Sequence, residues 1–149
     1  MSDLKTRLKE YEGTKEYQAK LKCFRNGKFY PYTDSLGFST IGYGHLIQTG
    51  EDFSTGITES EADQLLSRDL AKTIMQVQTL GLNLPDDWND FLIIMTFQLG
   101  IGGVKKFRKM LIALKAHDYP EAIKQAKDSL WYRQTPNRVN SMIAVLKNK

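Results

Sequence analysis

This sequence of 149 residues contains one cysteine, two histidines and no long apolar run. Cys23 has no second cysteine with which to form an internal disulfide, and we expect it to be a small packing residue. Neither His45 nor His117 has Cys, His or Glu at the spacing of a metal site, so no metal is expected. The longest apolar stretch, 91–99, is interrupted by polar residues and is too short to span a bilayer.

The sequence also has little excess of either charge sign. It contains 21 Lys and Arg and 17 Asp and Glu, which gives a formal net charge of +4. A mildly basic protein suits a polyanionic partner, whether nucleic acid, anionic lipid or an acidic wall polymer. The lysine pairs near Val104 and at the C-terminus are typical of a solvated helix face, so we expect no nucleic-acid partner. No apolar run follows the first charges, which predicts a protein made in a cytoplasm without a signal peptide and with no stable membrane association.

Two common catalytic motifs are missing as well. The segments GYGH and GIGG lack the Lys and Ser or Thr of a phosphate loop, and no serine lies in a nucleophile elbow. Carboxylates remain as candidates: Glu12 closes the first predicted helix, an unfavourable end for a negative charge, and Asp34 lies in the segment TDSLG. Hydrolysis of a glycosidic bond uses such a pair, although Asp34 also suits an Asx turn before Gly37.

The order of the hydrophobic patterns predicts an α+β fold in a single domain. A helix at 2–12 precedes a β-containing lobe at about 13–57, with a small antiparallel sheet at about 21–46 and a hairpin turn at Asn26-Gly27. Thr58 and Glu61 form a capping box that begins a long connecting helix at about 58–80. A helical lobe at about 81–149, with which we group helix 2–12, contains predicted helices at 88–99, 104–116, 119–130 and 136–146, the last capped by Thr135.

Four segments of the chain indicate a particular protein family more specifically than any of these patterns does. In order they are KEYEG, YTDSLGFSTIGYGHL, FQLGIGGVKKF and SLWYRQTPNR, and together they resemble the T4-type phage lysozymes, glycoside hydrolase family 24. The resemblance covers nearly the whole chain. It implies a small antiparallel β lobe and a larger helical lobe joined by a long helix, and cleavage of the β-1,4 bond between N-acetylmuramic acid and N-acetylglucosamine in bacterial peptidoglycan, without a cofactor.

The resemblance also implies roles for individual residues. Glu12 matches the family's general acid, Asp34 its second carboxylate and Thr40 the hydroxyl that helps to hold the attacking water. His45 and Asp69 match a buried ion pair between sheet and long helix, and Arg138 matches an arginine that holds the catalytic glutamate. The matched substrate-binding positions are Leu46, Phe97, Gln98 and Gln125, while Met110 stands at a sugar-contacting position where serine is usual.

The chain departs from the family in the length of one segment. Glu12 and Asp34 are 22 positions apart, about 13 more than is usual. We expect the extra residues to form the Asn26-Gly27 hairpin as an accessory to the cleft, outside the core.

The resemblance predicts a monomeric phage endolysin that reaches the cell wall after the membrane is permeabilised. Three alternatives remain open: a tail-associated lysozyme, a lytic transglycosylase, and a catalytically inactive wall-binding module.

Overall fold

The computed structural model describes residues 2–34 and 36–149. The chain forms two compact units, Met1–Ala71 and Lys72–Lys149, whose boundary falls inside a long helix. About 59% of the residues are helical and the strands form two small antiparallel sheets, which confirms the predicted α+β class. The N-terminal helix belongs to the first unit, whereas we had grouped it with the helical lobe. The single lysozyme domain and its lobe boundaries stay a prediction.

The first unit contains two helices, six short strands and most of the long helix. Its helices are α1 (Ser2–Glu12), α2 (Lys15–Lys20) and α3 (Glu59–Gln78), the last of which continues into the second unit. Its strands are β1 (Phe24–Arg25), β2 (Lys28–Phe29), β3 (Tyr32–Thr33), β4 (Ser39–Ile41), β5 (His45–Leu46) and β6 (Ile57–Thr58). The capping box at the start of α3 is confirmed, because Thr58 N donates to Glu61 Oε1 at 2.8 Å and Glu61 N donates to Thr58 Oγ1 at 3.2 Å.

The strands make two sheets, so the single sheet predicted at 21–46 is wrong. One sheet has the order β1-β2-β6 and the other the order β3-β4-β5. Asn26 and Gly27 form the predicted hairpin turn, with φ values of 53° and 74°. Strand β6, which pairs with β2, was not predicted, because a strand of two residues is too short to show an alternating pattern.

The extra segment between Glu12 and Asp34 is part of the core of the first unit. Phe29 on the central strand β2 is 0% exposed, and its ring lies 4.7 Å from that of Phe24 and 5.0 Å from that of Tyr43. The prediction that this hairpin lies outside the core is therefore wrong. Only its tip, at Arg25 to Gly27, is exposed.

The second unit is helical apart from its connections. Its helices are α4 (Asp86–Lys105), α5 (Arg108–Lys115), α6 (Tyr119–Lys127), α7 (Leu130–Gln134) and α8 (Pro136–Ala144). Residues 91–98 of α4 are buried throughout, as expected of a central helix, and α4 is kinked at Gly100, which has φ 76°. The predicted helix at 104–116 is interrupted before α5, and α7 was not predicted. Thr135 is the N-cap residue of α8 as predicted, but its side chain makes no capping hydrogen bond, and its hydroxyl donates to Trp131 O at 3.0 Å instead.

Two further classes of feature are absent from the described residues. None of their helices combines the length and apolar character that crossing a bilayer requires. They also contain no group of three or more His, Cys, Asp or Glu side chains arranged to hold a metal ion.

Candidate active site

Glu12 is the last residue of α1 and is half-buried. The helix ends there because Gly13 adopts a φ of 107°, which favours glycine, while its N–H still donates to Lys9 O at 3.0 Å. Tyr32 Oη on β3 lies 3.2 Å from Glu12 O and 3.4 Å from Gly42 O, so its single proton is shared between two carbonyl groups. The end of α1 therefore lies beside the connection between β4 and β5.

A second side chain, Gln18 on α2, also bonds the chain just after α1 to Gly42 in the loop between β4 and β5. Gln18 is 2% exposed, and its Nε2 donates to Gly13 O at 2.8 Å and to Gly42 O at 3.0 Å. Helix α2 is capped by Thr14, whose hydroxyl accepts from Tyr17 N at 3.2 Å. Sequence reasoning missed this helix and its glutamine, although a threonine before helix-forming residues was a usable signal.

Asp34 lies in the loop between β3 and β4 and is half-buried. Its Oδ1 accepts from Leu36 N at 2.9 Å and from Phe38 N at 2.8 Å, and its N–H donates to Phe38 O at 2.9 Å. These bonds make the Asx turn that was one interpretation of the sequence. They use one carboxylate oxygen.

Thr40 is brought close to Asp34 through Phe38. Thr40 lies on β4, where it is paired with Tyr32 on one side and Leu46 on the other. Its side chain is 1% exposed, and its hydroxyl donates to Phe38 O at 2.9 Å. Because the proton is used in that bond, the hydroxyl can offer a water molecule only its lone pairs.

His45 on β5 lies between two carboxylates and is 8% exposed. Its Nδ1 is 2.8 Å from Asp69 Oδ2 on α3, and its Nε2 is 3.0 Å from Glu51 Oε1. The partner Glu51 was missed by sequence reasoning. It lies in a loop that folds back, and Gln48 N donates to its Oε1 at 2.7 Å.

The two carboxylates favour the protonated imidazole. The hydrogen bond to Asp69 raises the pKa of His45 above 6.5 most strongly, and the bond to Glu51 raises it further, while burial opposes both. Burial acts to raise the pKa of Glu51, but the hydrogen bonds from Gln48 and His45 outweigh it and lower that pKa below 4.5.

Asp69→Asn should destabilise the protein in a pH-dependent way. The contribution of His45 is complete below its unfolded pKa, near 6.5, and is lost as the pH rises through its higher folded pKa. We expect the free energy of unfolding to fall by about 1–3 kcal/mol near pH 5 to 6 and by less above the folded pKa. Urea denaturation across the pH range measures both values.

Asp63→Asn is the matched control on the same helix. Asp63 pairs with Lys5 and Lys9, whose hydrogen bonds lower its pKa below 3.8. The fall in the free energy of unfolding caused by Asp63→Asn should therefore be small and constant between about pH 5 and 9. A loss in Asp69→Asn that is equally constant would contradict the role of the His45 pair.

The remaining predicted residues lie in the second unit. Gln98 is 7% exposed, and its Oε1 accepts from Trp131 Nε1 at 2.8 Å. Its Nε2 is buried and has no hydrogen-bond partner in the described part of the chain. Phe97 beside it is 8% exposed.

Three other residues of this unit were singled out in the sequence. Gln125 Nε2 donates to Glu121 Oε2 at 2.7 Å, one turn earlier on α6. Arg138 is half-buried near the start of α8. Met110 is 0% exposed and is a core residue of α5, so the surface there offers no methionine side chain to a sugar.

The α+β fold is consistent with that of the lysozymes. The family model for phage lysozymes matches residues 22–144, and the chain therefore belongs to the phage lysozyme family. This confirms the resemblance to the T4-type lysozymes. The matched range begins after Glu12, and a match to a family does not test individual residues, so the roles of Glu12, Asp34, Thr40 and the other site residues stay predictions.

Individual relatives place the chain in the same group. It is 34% identical to the pre-baseplate central spike protein Gp5 of Enterobacteria phage T4 over 141 residues, which are 77% of this chain and 24% of that protein. It is 29% identical to probable T4-type lysozyme 1 of Dictyostelium discoideum over 153 residues, 85% of this chain and 90% of that protein. It is 30% identical to peptidoglycan hydrolase gp36 of Pseudomonas phage phiKMV over 120 residues, 75% of this chain and 13% of that protein. The chain thus spans less than a quarter of the spike protein and a smaller part of gp36.

Proposed function

We propose that this protein is a peptidoglycan hydrolase with muramidase specificity, which cleaves the β-1,4 bond between N-acetylmuramic acid and N-acetylglucosamine. Membership of the phage lysozyme family supports the reaction class. Relatives named as a T4-type lysozyme and as a peptidoglycan hydrolase support the substrate. Bacterial peptidoglycan is then its only partner, and the protein acts as a monomer without a cofactor.

The observation that carries this proposal is the link between α1 and the β3-β4-β5 sheet. Tyr32 and Gln18 together join the carbonyl groups of Glu12 and Gly13 to Gly42. Gly42 follows β4, and β4 carries Thr40. The carboxyl group of Glu12 thus extends from a fixed point beside the strands that hold Asp34 and Thr40, as one acid and one water-binding group require.

Glu12 acts as the general acid in this mechanism and gives its proton to the leaving glycosidic oxygen. Asp34 takes the proton of the attacking water. Its Oδ1 is held by two backbone N–H groups, so its other oxygen serves this step. Thr40 orients the water through a lone pair of its hydroxyl oxygen, since the hydroxyl already donates its proton in the hydrogen bond to Phe38 O.

Asp34→Asn should reduce the turnover number by about 10²–10⁴-fold while leaving the loop intact. The amide oxygen can still accept the two N–H bonds from Leu36 and Phe38, but the amide cannot take a proton from water. Circular dichroism checks that the fold is intact, and the initial rate of lysis measures the loss of activity. An Asp34→Asn protein with at least half of the wild-type rate would leave Asp34 with only its role in the turn.

Whether a glycosidic or an amide bond is cleaved can be determined on purified peptidoglycan sacculi. A muramidase releases new reducing sugars and no new amino groups. An amidase or endopeptidase does the opposite. We expect reducing groups to rise in proportion to the loss of turbidity, and a rise in free amino groups alone would overturn the proposal.

A tail-associated lysozyme is the second candidate, and similarity to the spike protein Gp5 favours it. The proposed endolysin is made in the host cytoplasm and reaches the wall once the membrane is permeabilised. The two roles differ in where the chain is found. Peptide mass spectrometry of purified phage particles should detect a tail component and should find no endolysin.

A further inference from the structure

Gln18 is the most deeply buried polar side chain of the lengthened segment between Glu12 and Asp34. It lies on α2 and is 2% exposed. Its Nε2 donates both to Gly13 O, at 2.8 Å, and to Gly42 O, at 3.0 Å. One side chain therefore bonds the residue directly after Glu12 to the loop that follows Thr40.

This arrangement has a cost in stability. Gln18 Oε1 is buried and has no hydrogen-bond partner among the residues that the structure describes. A buried acceptor without a partner destabilises the folded state. The amide orientation is nevertheless fixed, because both neighbouring groups are carbonyl oxygens and only the NH₂ end can bond to them. A polar group retained in this way is typical of a functional site, where geometry takes precedence over stability.

We propose that Gln18 is a positioning residue for Glu12, and that the lengthened segment supplies this contact through α2. The inference rests on the proposed role of Glu12 as the general acid. The last carbonyl groups of a helix have no partners within the helix. Tyr32 provides such a partner at Glu12, and Gln18 bonds to the carbonyl group of Gly13, the residue that follows the helix. Together they fix the direction in which the Glu12 side chain leaves α1.

Gln18→Met is the most direct test, because it keeps the length of the side chain and removes both donors. We expect kcat on a soluble glycan substrate to fall about 10- to 100-fold, since a displacement of about 1 Å at a catalytic group costs a factor of that size. KM should change by less than about twofold. The pH dependence of kcat should also change, because Gln18 acts through the orientation of the proposed acid.

Thr58→Ala is the matched control for a general loss of stability. It removes the hydroxyl that caps α3, which accepts from Glu61 N, and it touches neither Gly13 nor Gly42. Capping substitutions destabilise by an amount comparable to the loss of a hydrogen bond. We expect its kcat and its pH profile to match those of the wild type.

Tyr32→Phe tests the same inference by a second route. It removes the hydroxyl shared by Glu12 O and Gly42 O and keeps the ring. We expect kcat to fall about fivefold or more, with a change in the pH dependence of kcat like that of Gln18→Met.

Each outcome decides the proposal. A folded Gln18→Met protein with the kcat and pH profile of the wild type, or with a loss no larger than that of Thr58→Ala, overturns it. If Gln18→Met does not fold, a Tyr32→Phe protein with wild-type kcat and pH profile overturns it. Failure of the proposed function is recognised separately, because the wild type would then release no reducing sugars from peptidoglycan. A wild-type rate in Glu12→Gln would instead remove the role of Glu12 on which this inference rests.

Discussion

Glu12→Gln should fold like the wild type and lose lytic activity by about 10²–10⁴-fold, the typical contribution of general acid catalysis. The amide has nearly the same shape as the carboxyl group, but it has no proton to give to the leaving oxygen. Residual activity should then come from binding and from the groups that hold water. The measurement is the initial rate of turbidity loss of cells whose outer membrane has been permeabilised, with circular dichroism and thermal unfolding as tests of the fold.

Glu10→Gln is the matched control for this variant. Glu10 is exposed on the same helix, two residues before Glu12, and its substitution makes the same change of charge. We expect its lytic rate to match that of the wild type. Comparable lysis by Glu12→Gln and Glu10→Gln would remove Glu12 from the mechanism.

Phe29→Ala should lower the free energy of unfolding by about 3–5 kcal/mol, as is typical of a fully buried aromatic side chain. Phe29 is 0% exposed on the central strand of its sheet, and its ring contacts Phe24 and Tyr43. The substitution leaves a cavity in a unit whose strands are only two or three residues long. Urea denaturation followed by fluorescence and by circular dichroism measures the loss.

Phe38→Ala provides the comparison for this stability prediction. Phe38 is 53% exposed in the loop after Asp34, so truncation should change the free energy of unfolding by about 0.5 kcal/mol or less. A similar small effect in Phe29→Ala would restore the interpretation of the hairpin as an accessory outside the core.

The sequence predicted the long, strongly periodic elements well. Helices α1, α3 and the buried part of α4 were predicted because each shows an apolar stripe or run together with a capping or breaking residue. The hairpin turn at Asn26-Gly27 was predicted because both positions need a positive φ. Each of these signals is local.

Two of the elements that were missed, β6 and α7, are too short to show a pattern of their own. Strand β6 has two residues, and it forms because Lys28 and Phe29 lie opposite it. Burial of Phe29 follows from that pairing and from the rings of Phe24 and Tyr43. Helix α7 has five residues, too few for periodicity to distinguish it from the end of α6.

In the candidate site, too, the sequence indicated some residues and missed contacts that depend on tertiary structure. The resemblance to the T4-type lysozymes gave residue types, such as Glu12 and Asp34, and some of the partners, such as Asp69 for His45. The bonds of Gln18 to Gly13 and Gly42, and of Glu51 to His45, come from tertiary structure. No spacing in the sequence indicates either contact.

Mass spectrometry of digested peptidoglycan tests the central claim most directly. If Glu12 is the acid and Asp34 activates water, the wild type should release muropeptides that end in reducing N-acetylmuramic acid, and Glu12→Gln should release almost none. In a lytic transglycosylase, the 6-hydroxyl group of the sugar attacks instead of water and leaves an anhydro end, lighter by one water. A digest dominated by anhydro-muropeptides, or one in which only peptide bonds are cut, would contradict the account.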